Sequence, residues 1–315
     1  MNAGISFEIG SGSYDLNALL SLGNFDVTRV FLLDSGVLWD QLENLRKCKL
    51  IINAVSDAEV ASESLAVASA LCNKINRQII NSPKRVLGTS REDVATLADS
   101  IEGILAPPTI KIKAKHISEL FLSQKKFLPF RDSSLLVRPL GSSTGIGLTR
   151  IESLEKLLQV DTQNCPEWIN LTKFVNFVSA DGLHRKYRVF VIGGDILPEH
   201  CIMSADWNIH SSSRINEMLG SDIYQEEKRR FLRSPRGVLS EANMNSLRLL
   251  GQKIGLDYVG MDISLMPDVR ILLFEANSGM RVNNDYNKSF PCLEKYTLAL
   301  RKRFEKMVSN KIQQR

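Results

Sequence analysis

The chain has 315 residues, of which 43% are apolar and 24% charged, a composition that suits a soluble globular protein and excludes a disordered or fibrous one. The length suits about two domains of roughly 150 residues each, and no window holds the ~18 uninterrupted apolar residues of a spanning helix. The net charge is +5, and the last fifteen residues account for it, with Arg301, Lys302, Arg303, Lys306, Lys311 and Arg315 against Glu305 alone.

The start, MNAGISFEIG, carries Glu8 and no basic segment, so the sequence predicts a chain that is neither exported nor membrane-embedded. The five cysteines (Cys48, Cys72, Cys165, Cys201 and Cys292) are scattered, with no CxxC pair and no Cys/His cluster. Reduced thiols in a cytoplasm are expected. The basic end reads as cations in the last turns of a C-terminal helix; contact with nucleic acid rests on that charge alone.

Along the chain, Arg29 to Asp34 and Lys49 to Val55 are short apolar runs of the buried parallel-strand type. A helix is expected from Asp57 to Asn76, with Asp57 as cap and Val60, Ser64, Val67 and Leu71 on one face. Asn81-Ser82-Pro83 is a turn and closes a small α/β unit, 1–83. A second unit, 84–176, opens with a helix from Ser90 to Ile104, with Asp93 three positions after Ser90, and Pro107-Pro108 stop it. Strand Thr109 to Lys113, helix Ile117 to Gln124, strand Leu135 to Arg138, a Gly/Ser loop, helix Ser153 to Gln159 and strand Ile169 to Val175 follow, an α+β pattern. The third unit, 177–315, begins with a hairpin, Tyr187 to Ile192 returning through Ile196 to Met203 about Gly193-Gly194-Asp195. Ser204 to Ser221 reads as an unpatterned loop. Helices Gln225 to Leu232 and Ser240 to Ile254, strands Tyr258 to Leu265 and Arg270 to Glu275, and a helix from Pro291 to Val308 complete the chain. No internal repeat is present.

Two constellations carry chemistry. Leu136 to Leu148 places Arg138 at a strand end, followed by three glycines and three hydroxyls in seven residues. Glycines let backbone N–H groups approach an anion, and Arg138 would neutralise it bidentately. The loop is neither a P-loop nor GxGxxG, so a phosphate cradle and a flexible hairpin both stay open. The second constellation is Asp262 and Glu275 inside apolar strands, where a lone carboxylate is costly unless paired or bound to a metal. Period two puts Glu275 and Asn277 on one face, and the short turn makes the Asp262 strand their neighbour. Three oxygen side chains without histidine or thiol suit Mg2+; a pair of salt-bridged edge carboxylates is the alternative.

In this order and spacing, Arg138-Pro139 with its glycine loop, Tyr187-Arg188, Asp262 and Phe274-Glu275-Ala-Asn277 resemble the ATP-grasp superfamily of carboxylate–amine ligases. The likeness covers about residues 84–310. It implies an α/β and α+β chain, a small N-terminal α/β domain followed by a two-lobed ATP-grasp fold. It also implies ATP and Mg2+ as cofactors, with Asp262, Glu275 and Asn277 resembling the metal ligands. Ser142, Ser143, Thr144, Gly145 and Gly147 resemble the mobile phosphate loop. Arg138 and Arg91 stand where that family carries phosphate-binding lysines, a change that keeps the charge but alters the geometry. Lys173, Phe174 and Val175 resemble the adenine-holding hinge, and Arg188 resembles the basic residue that meets the terminal or acyl phosphate. The run from Phe174 to Arg188, with Pro198-Glu199-His200, Asp206 to His210 and Glu226-Glu227, is similar to a poorly characterised subgroup often attached to helical repeats, which are absent from this sequence.

The implied activity is an ADP-forming ligase that joins a small-molecule or peptide carboxylate to an amine. A phosphotransferase or peptide modifier on the same fold, or a non-catalytic nucleotide-binding module, is the alternative. His200, Trp207 and His210 are candidate substrate contacts, with packing as the other reading. Arg281, just after the metal motif, is placed to hold a substrate carboxylate or is a solvated turn residue. The sequence does not fix the oligomeric state, and a homodimer is compatible with it. No nucleophile elbow or reactive-cysteine context appears.

Overall fold

The computed structural model describes residues 16–32, 43, 45–117, 128–142, 145, 147–157, 167–282 and 288–314. The expected helix from Ile117 to Gln124 lies almost wholly outside these residues, as do Ser143, Thr144, Cys165 and the end of the helix expected to reach Gln159. The chain is mixed α/β, and its described residues form three sheets. No helix among the described residues is long and apolar enough to cross a membrane.

The first sheet is a parallel pair, β1 (Leu50–Ile52) and β2 (Gln78–Ile80), joined by helix α1 (Ser62–Ile75). Residues 29–32 are not a strand, and no strand among the described residues extends this pair to receive them. Helix α1 begins five residues later than expected, because Asp57 caps a preceding turn: its Oδ1 accepts the N–H groups of Glu59 at 2.7 Å and Val60 at 3.1 Å. The buried face is therefore Leu65, Ala68 and Ile75, while Val60 and Val67 are exposed. Asn81, in the left-handed region at φ +56°, ties this unit to the rest. Its Nδ2 donates to Tyr258 O (2.8 Å), its Oδ1 accepts Tyr258 N–H (3.0 Å), and its own N–H donates to Asp257 (2.9 Å).

The second sheet has the order β4 (Thr109–Lys113), β7 (Trp168–Lys173), β5 (Leu135–Pro139), β6 (Thr149–Ile151), all antiparallel. Alternation gives it two unlike faces. Ile110, Ile112, Leu135, Ile169 and Leu171 pack on Phe130, Ile117, Leu154 and Leu157. Thr109, Leu136, Arg138, Asn170 and Thr172 face a cleft instead.

The third sheet has the order β3 (Ile104–Leu105), β11 (Ile271–Asn277), β10 (Tyr258–Leu265), β8 (His184–Ile192), β9 (Asp195–Ser204), antiparallel except for the β3–β11 pair. Helix α2 (Pro83–Val86) leads to α3 (Arg91–Asp99), which starts at Ser90, whose Oγ accepts Asp93 N–H at 3.1 Å. It ends before 104 because Ile104 and Leu105 pair with β11. Gly193 and Gly194, both at positive φ, make the two-residue turn between β8 and β9, as their sequence requires.

Helix α4 is Leu154–Leu157. Residues 204–221 are not all loop: Ser204 ends β9 and α5 spans Ser211–Asn216. A six-residue Ser-rich helix carries no apolar period to read, and buried Met218 just beyond it pins it to Met203. Helices α6 (Asp222–Arg233) and α7 (Pro235–Ile254) bury Phe231, Leu232, Leu239, Leu247 and Leu250 against one face of this sheet, in a core with Val189, Val191, Val259 and Met261.

The opposite face changes character along its strands. At one end Phe190, Ile192 and Tyr258 pack on Leu300, Phe304 and Met307 of α8 (Glu294–Gln313). Further along the same strands the residues are Arg188, Lys186 and Asp262, open to the cleft.

Candidate active site

The cleft, about 1110 Å³, lies between the polar half of the large sheet and the polar face of the small one. Cross-strand partners in antiparallel register share a face. Glu275 stands opposite Asp262, Asp262 opposite Arg188, and Arg188 opposite His200, so four polar side chains cross strands β11, β10, β8 and β9 in one row. The sequence reasoning brought Asp262 next to Glu275, and the register does so.

Asp262 is 3% exposed and holds Arg188 bidentately, Nε to Oδ1 at 2.6 Å and Nη2 to Oδ2 at 2.9 Å. Lys186 Nζ stands 3.6 Å from Oδ2 and donates to Ile209 O at 2.9 Å. Burial works against the Asp262 charge, but Arg188 and Lys186 overcome it and hold the carboxyl below the ordinary carboxylate range. Glu275 ion-pairs with Arg91; burial again opposes its charge and Arg91 prevails, so its carboxyl also lies below the usual value. Burial draws the Lys186 ammonium below the ordinary lysine value, with Asp262 resisting. Asn277 Oδ1 accepts Gly279 N–H at 2.9 Å.

Arg138 faces the cleft from the small sheet, its Nη1 donating to Ser142 O at 3.3 Å. Burial first and neighbouring Arg91 second pull it down to about 10, the mark of two cations held close together. Glu59 binds this corner together: its Oε1 accepts Arg91 N–H at 3.2 Å, and Asn170 Nδ2 donates to both its oxygens at 3.0 Å. Ser142 Oγ is buried with no hydrogen-bond partner among the described residues. Gly141 (φ +73°) and Gly145 (φ +80°) need their glycines twice over. A Cβ on Gly141 would stand 2.4 Å from Val60 Cγ1, and one on Gly145 would stand 3.1 Å from His210 Nδ1. Gly147, at φ +69°, lies against Pro139.

Lys173, Phe174 and Val175 line the cleft where the small sheet joins the core. Two of their N–H groups are engaged within the protein, Lys173 with Pro108 O and Phe174 with Ser134 O. Trp207, a substrate-contact candidate, packs edge-on against Phe174 at 5.5 Å. His200 is 1% exposed at the cleft floor, and His210 lies against Gly145 with its imidazole shifted down by burial and by Lys186. Arg281 lines the cleft, and its carbonyl accepts Arg188 Nη1 at 3.3 Å.

Three site residues were missed by the sequence reasoning: Lys186, Glu59 and Asn170. Lys186 was readable, two positions from Arg188 on the same strand face. Glu59 lies in a loop of the first unit and nothing local marks it.

Among the described residues no group of three or more His, Cys, Asp or Glu side chains is placed to hold a metal. The protein side of the site is two carboxylates and one amide oxygen, the donor set of a hard dication that takes its remaining oxygens from phosphate and water. Both carboxylates face guanidinium groups, and a phosphate is an equal or better partner for those guanidiniums. On these terms the residues fit Mg2+.

No protein-family model and no curated protein matches the chain. Among solved structures it is similar to the D-alanine–D-alanine ligase of Bacillus anthracis complexed with ATP, at 13% identity over 91% of this chain and 90% of that one, TM-score 0.47. It is also similar to the VanG D-Ala:D-Ser ligase of Enterococcus faecalis, at 10% identity over 84% and 73%, TM-score 0.49. A third is the ATP-grasp ligase PsnB complexed with precursor peptide PsnA2 and AMPPNP, at 12% identity over 76% and 67%, TM-score 0.42.

Proposed function

We propose that the chain is an ATP- and Mg2+-dependent ligase that joins a carboxylate to an amine through an acyl phosphate. The observation that carries this reading is the row Glu275–Asp262–Arg188 on the cleft floor with Arg91 and Arg138 above it. A buried carboxylate and a half-buried one, each matched by an arginine, make a site whose cations and anions can both be re-partnered, the arginines to phosphate and the carboxylates to a dication. Asp262, Glu275 and Asn277 would hold Mg2+, which supplies charge neutralisation at the phosphates.

Arg91 and Arg138 bind phosphate oxygens and offset the charge that builds on them as the γ-phosphoryl group moves to the carboxylate. Residues 141–147 cover the phosphates, with Ser142, Ser143, Thr144, Gly145 and Gly147 as donors, and keep water from the mixed anhydride. Lys173, Phe174 and Val175 seat the adenine. Arg188 turns toward the acyl oxygen, and Arg281 holds the substrate carboxylate, with His200, Trp207 and His210 around the substrates. Residues 1–83, 84–176 and 177–315 serve as an N-terminal domain and two lobes. The unbridged thiols of Cys48, Cys72, Cys201 and Cys292 suit a cytoplasmic setting.

The test is ADP release in the presence of ATP, Mg2+ and hydroxylamine, with amino acids of either hand and short peptides as the acid. At least one acid yields ADP together with a hydroxamate, and Glu275→Gln lowers that ADP release by at least about 100-fold, the scale of losing a main electrostatic stabiliser. ADP release with no trapped acyl group replaces this reading with phosphotransfer. Full turnover in Glu275→Gln removes the metal assignment.

A further inference from the structure

Strands β8 and β9 pair without interruption from His184 opposite Ser204 to Arg188 opposite His200, and the next pair is Val189 with Pro198. Glu199 is therefore the extra residue of a β-bulge. In a regular strand Glu199 and His200 would point to opposite faces. Here the bulge brings the neighbours together, and the Glu199 carboxylate stands against His200 Nδ1. Glu199 is 3% exposed and His200 1%.

A carboxylate and an imidazole withdrawn from water cost several kcal/mol before their mutual contact is counted, and an apolar pair would fill the same space without that cost. The pair stands at one end of the polar row. His200 faces the cleft beside Arg188, whereas Glu199 lies outside the cleft lining. The charged groups along this row are Lys186 and Arg188 from β8, Asp262 from β10 and Glu275 from β11, and Glu199 adds its charge beside Arg188. A carboxylate on Nδ1 fixes the imidazole tautomer with its proton there and orients Nε2 as an acceptor.

We propose that His200, oriented by Glu199, is the base that takes the proton from the attacking amine in the second half of the ligase reaction; the inference rests on that reading. The ammonium gives one proton to His200 Nε2. Its nitrogen lone pair forms the new C–N bond, the bond from the acyl carbon to the bridging oxygen breaks with its electron pair going to phosphate, and a second N–H proton leaves with inorganic phosphate. Glu199 is a positioning residue in this scheme.

Two small nucleophiles separate this role from a structural one. Hydroxylamine is already uncharged at neutral pH and needs no base, whereas methylamine arrives as an ammonium. With ATP, Mg2+ and an acid that supports hydroxamate formation, the wild-type chain makes both the hydroxamate and the N-methylamide. In His200→Gln the yield of N-methylamide relative to hydroxamate falls at least about 30-fold, and in Glu199→Gln it falls in the same sense by about tenfold. Equal loss of both products, or retention of both, overturns the proposal and leaves the ligase reading in place. A wild-type chain that makes hydroxamate but no N-methylamide overturns it as well. A wild-type chain that makes no hydroxamate removes the ligase reading, and the base falls with it.

Discussion

Asp262 is buried with its charge matched by Arg188 and Lys186, so its removal strands two half-buried cations. Breaking such a pair is more costly than never having built it. Asp262→Asn is therefore expected to destabilise the fold by about 3–5 kcal/mol, measured by urea unfolding at neutral pH. The pH dependence has a definite sign. The folded carboxyl lies below its unfolded value, so its contribution is complete above about pH 4 and is lost as pH falls through the folded value. The gap between wild type and Asp262→Asn should narrow on acidification below about pH 4, and a gap that widened there would contradict the pairing. These residues were legible because a carboxylate inside an apolar run asks for a partner. Glu59 and Asn170 were not, since their bond joins positions 111 apart and neither sits in a pattern that a window can detect.

Strand β10 places the row, and Gly260 sets how closely β10 lies to its surroundings. It stands opposite Phe190 on one side and Asn277 on the other. A Cβ there would be 2.6 Å from Met280 Cβ and 2.8 Å from Phe190 Cε1, so Gly260→Ala overpacks a core that also holds Asp262 two residues away. The expected loss is about 1–3 kcal/mol in denaturant unfolding, and a variant as stable as wild type would mean that Met280 yields without cost. At this scale the sequence was readable where one residue type dictates the geometry. Tyr258 to Leu265 and Thr109 to Lys113 are strands over the expected residues, and Gly193-Gly194 is the expected turn. It was unreadable where tertiary pairing decides. Residues 29–32 pair with no strand among the described residues, Ile104 and Leu105 leave a helical pattern to pair with β11, and α5 is too short and polar to show a period.

Over the whole molecule, three of the six basic residues at the C-terminal end are tied into the packing of the C-terminal helix. Within α8, Arg303 ion-pairs with Asp195 at the start of β9, Lys311 with Asp257 at 2.9 Å, and Arg301 donates to the carbonyls of Ala18 and Asn17. The face of the helix that these cations border buries Leu300, Phe304, Met307 and Val308 against Leu19, Phe190 and Tyr258, the apolar half of the face whose other half is the candidate site. Lys302 and Lys306 remain exposed on its outer side. Removal of residues 301–315 should therefore act on the fold before it acts on any partner: it uncovers that apolar half, and the expected outcome is loss of the cooperative thermal transition. The double change Lys302→Gln with Lys306→Gln lowers the charge and leaves the apolar side untouched, so its stability should stay within about 0.5 kcal/mol of wild type. A truncated chain that melted at the wild-type midpoint would show that the helix is an appendage, and would return the basic end to the role of a surface for acidic partners.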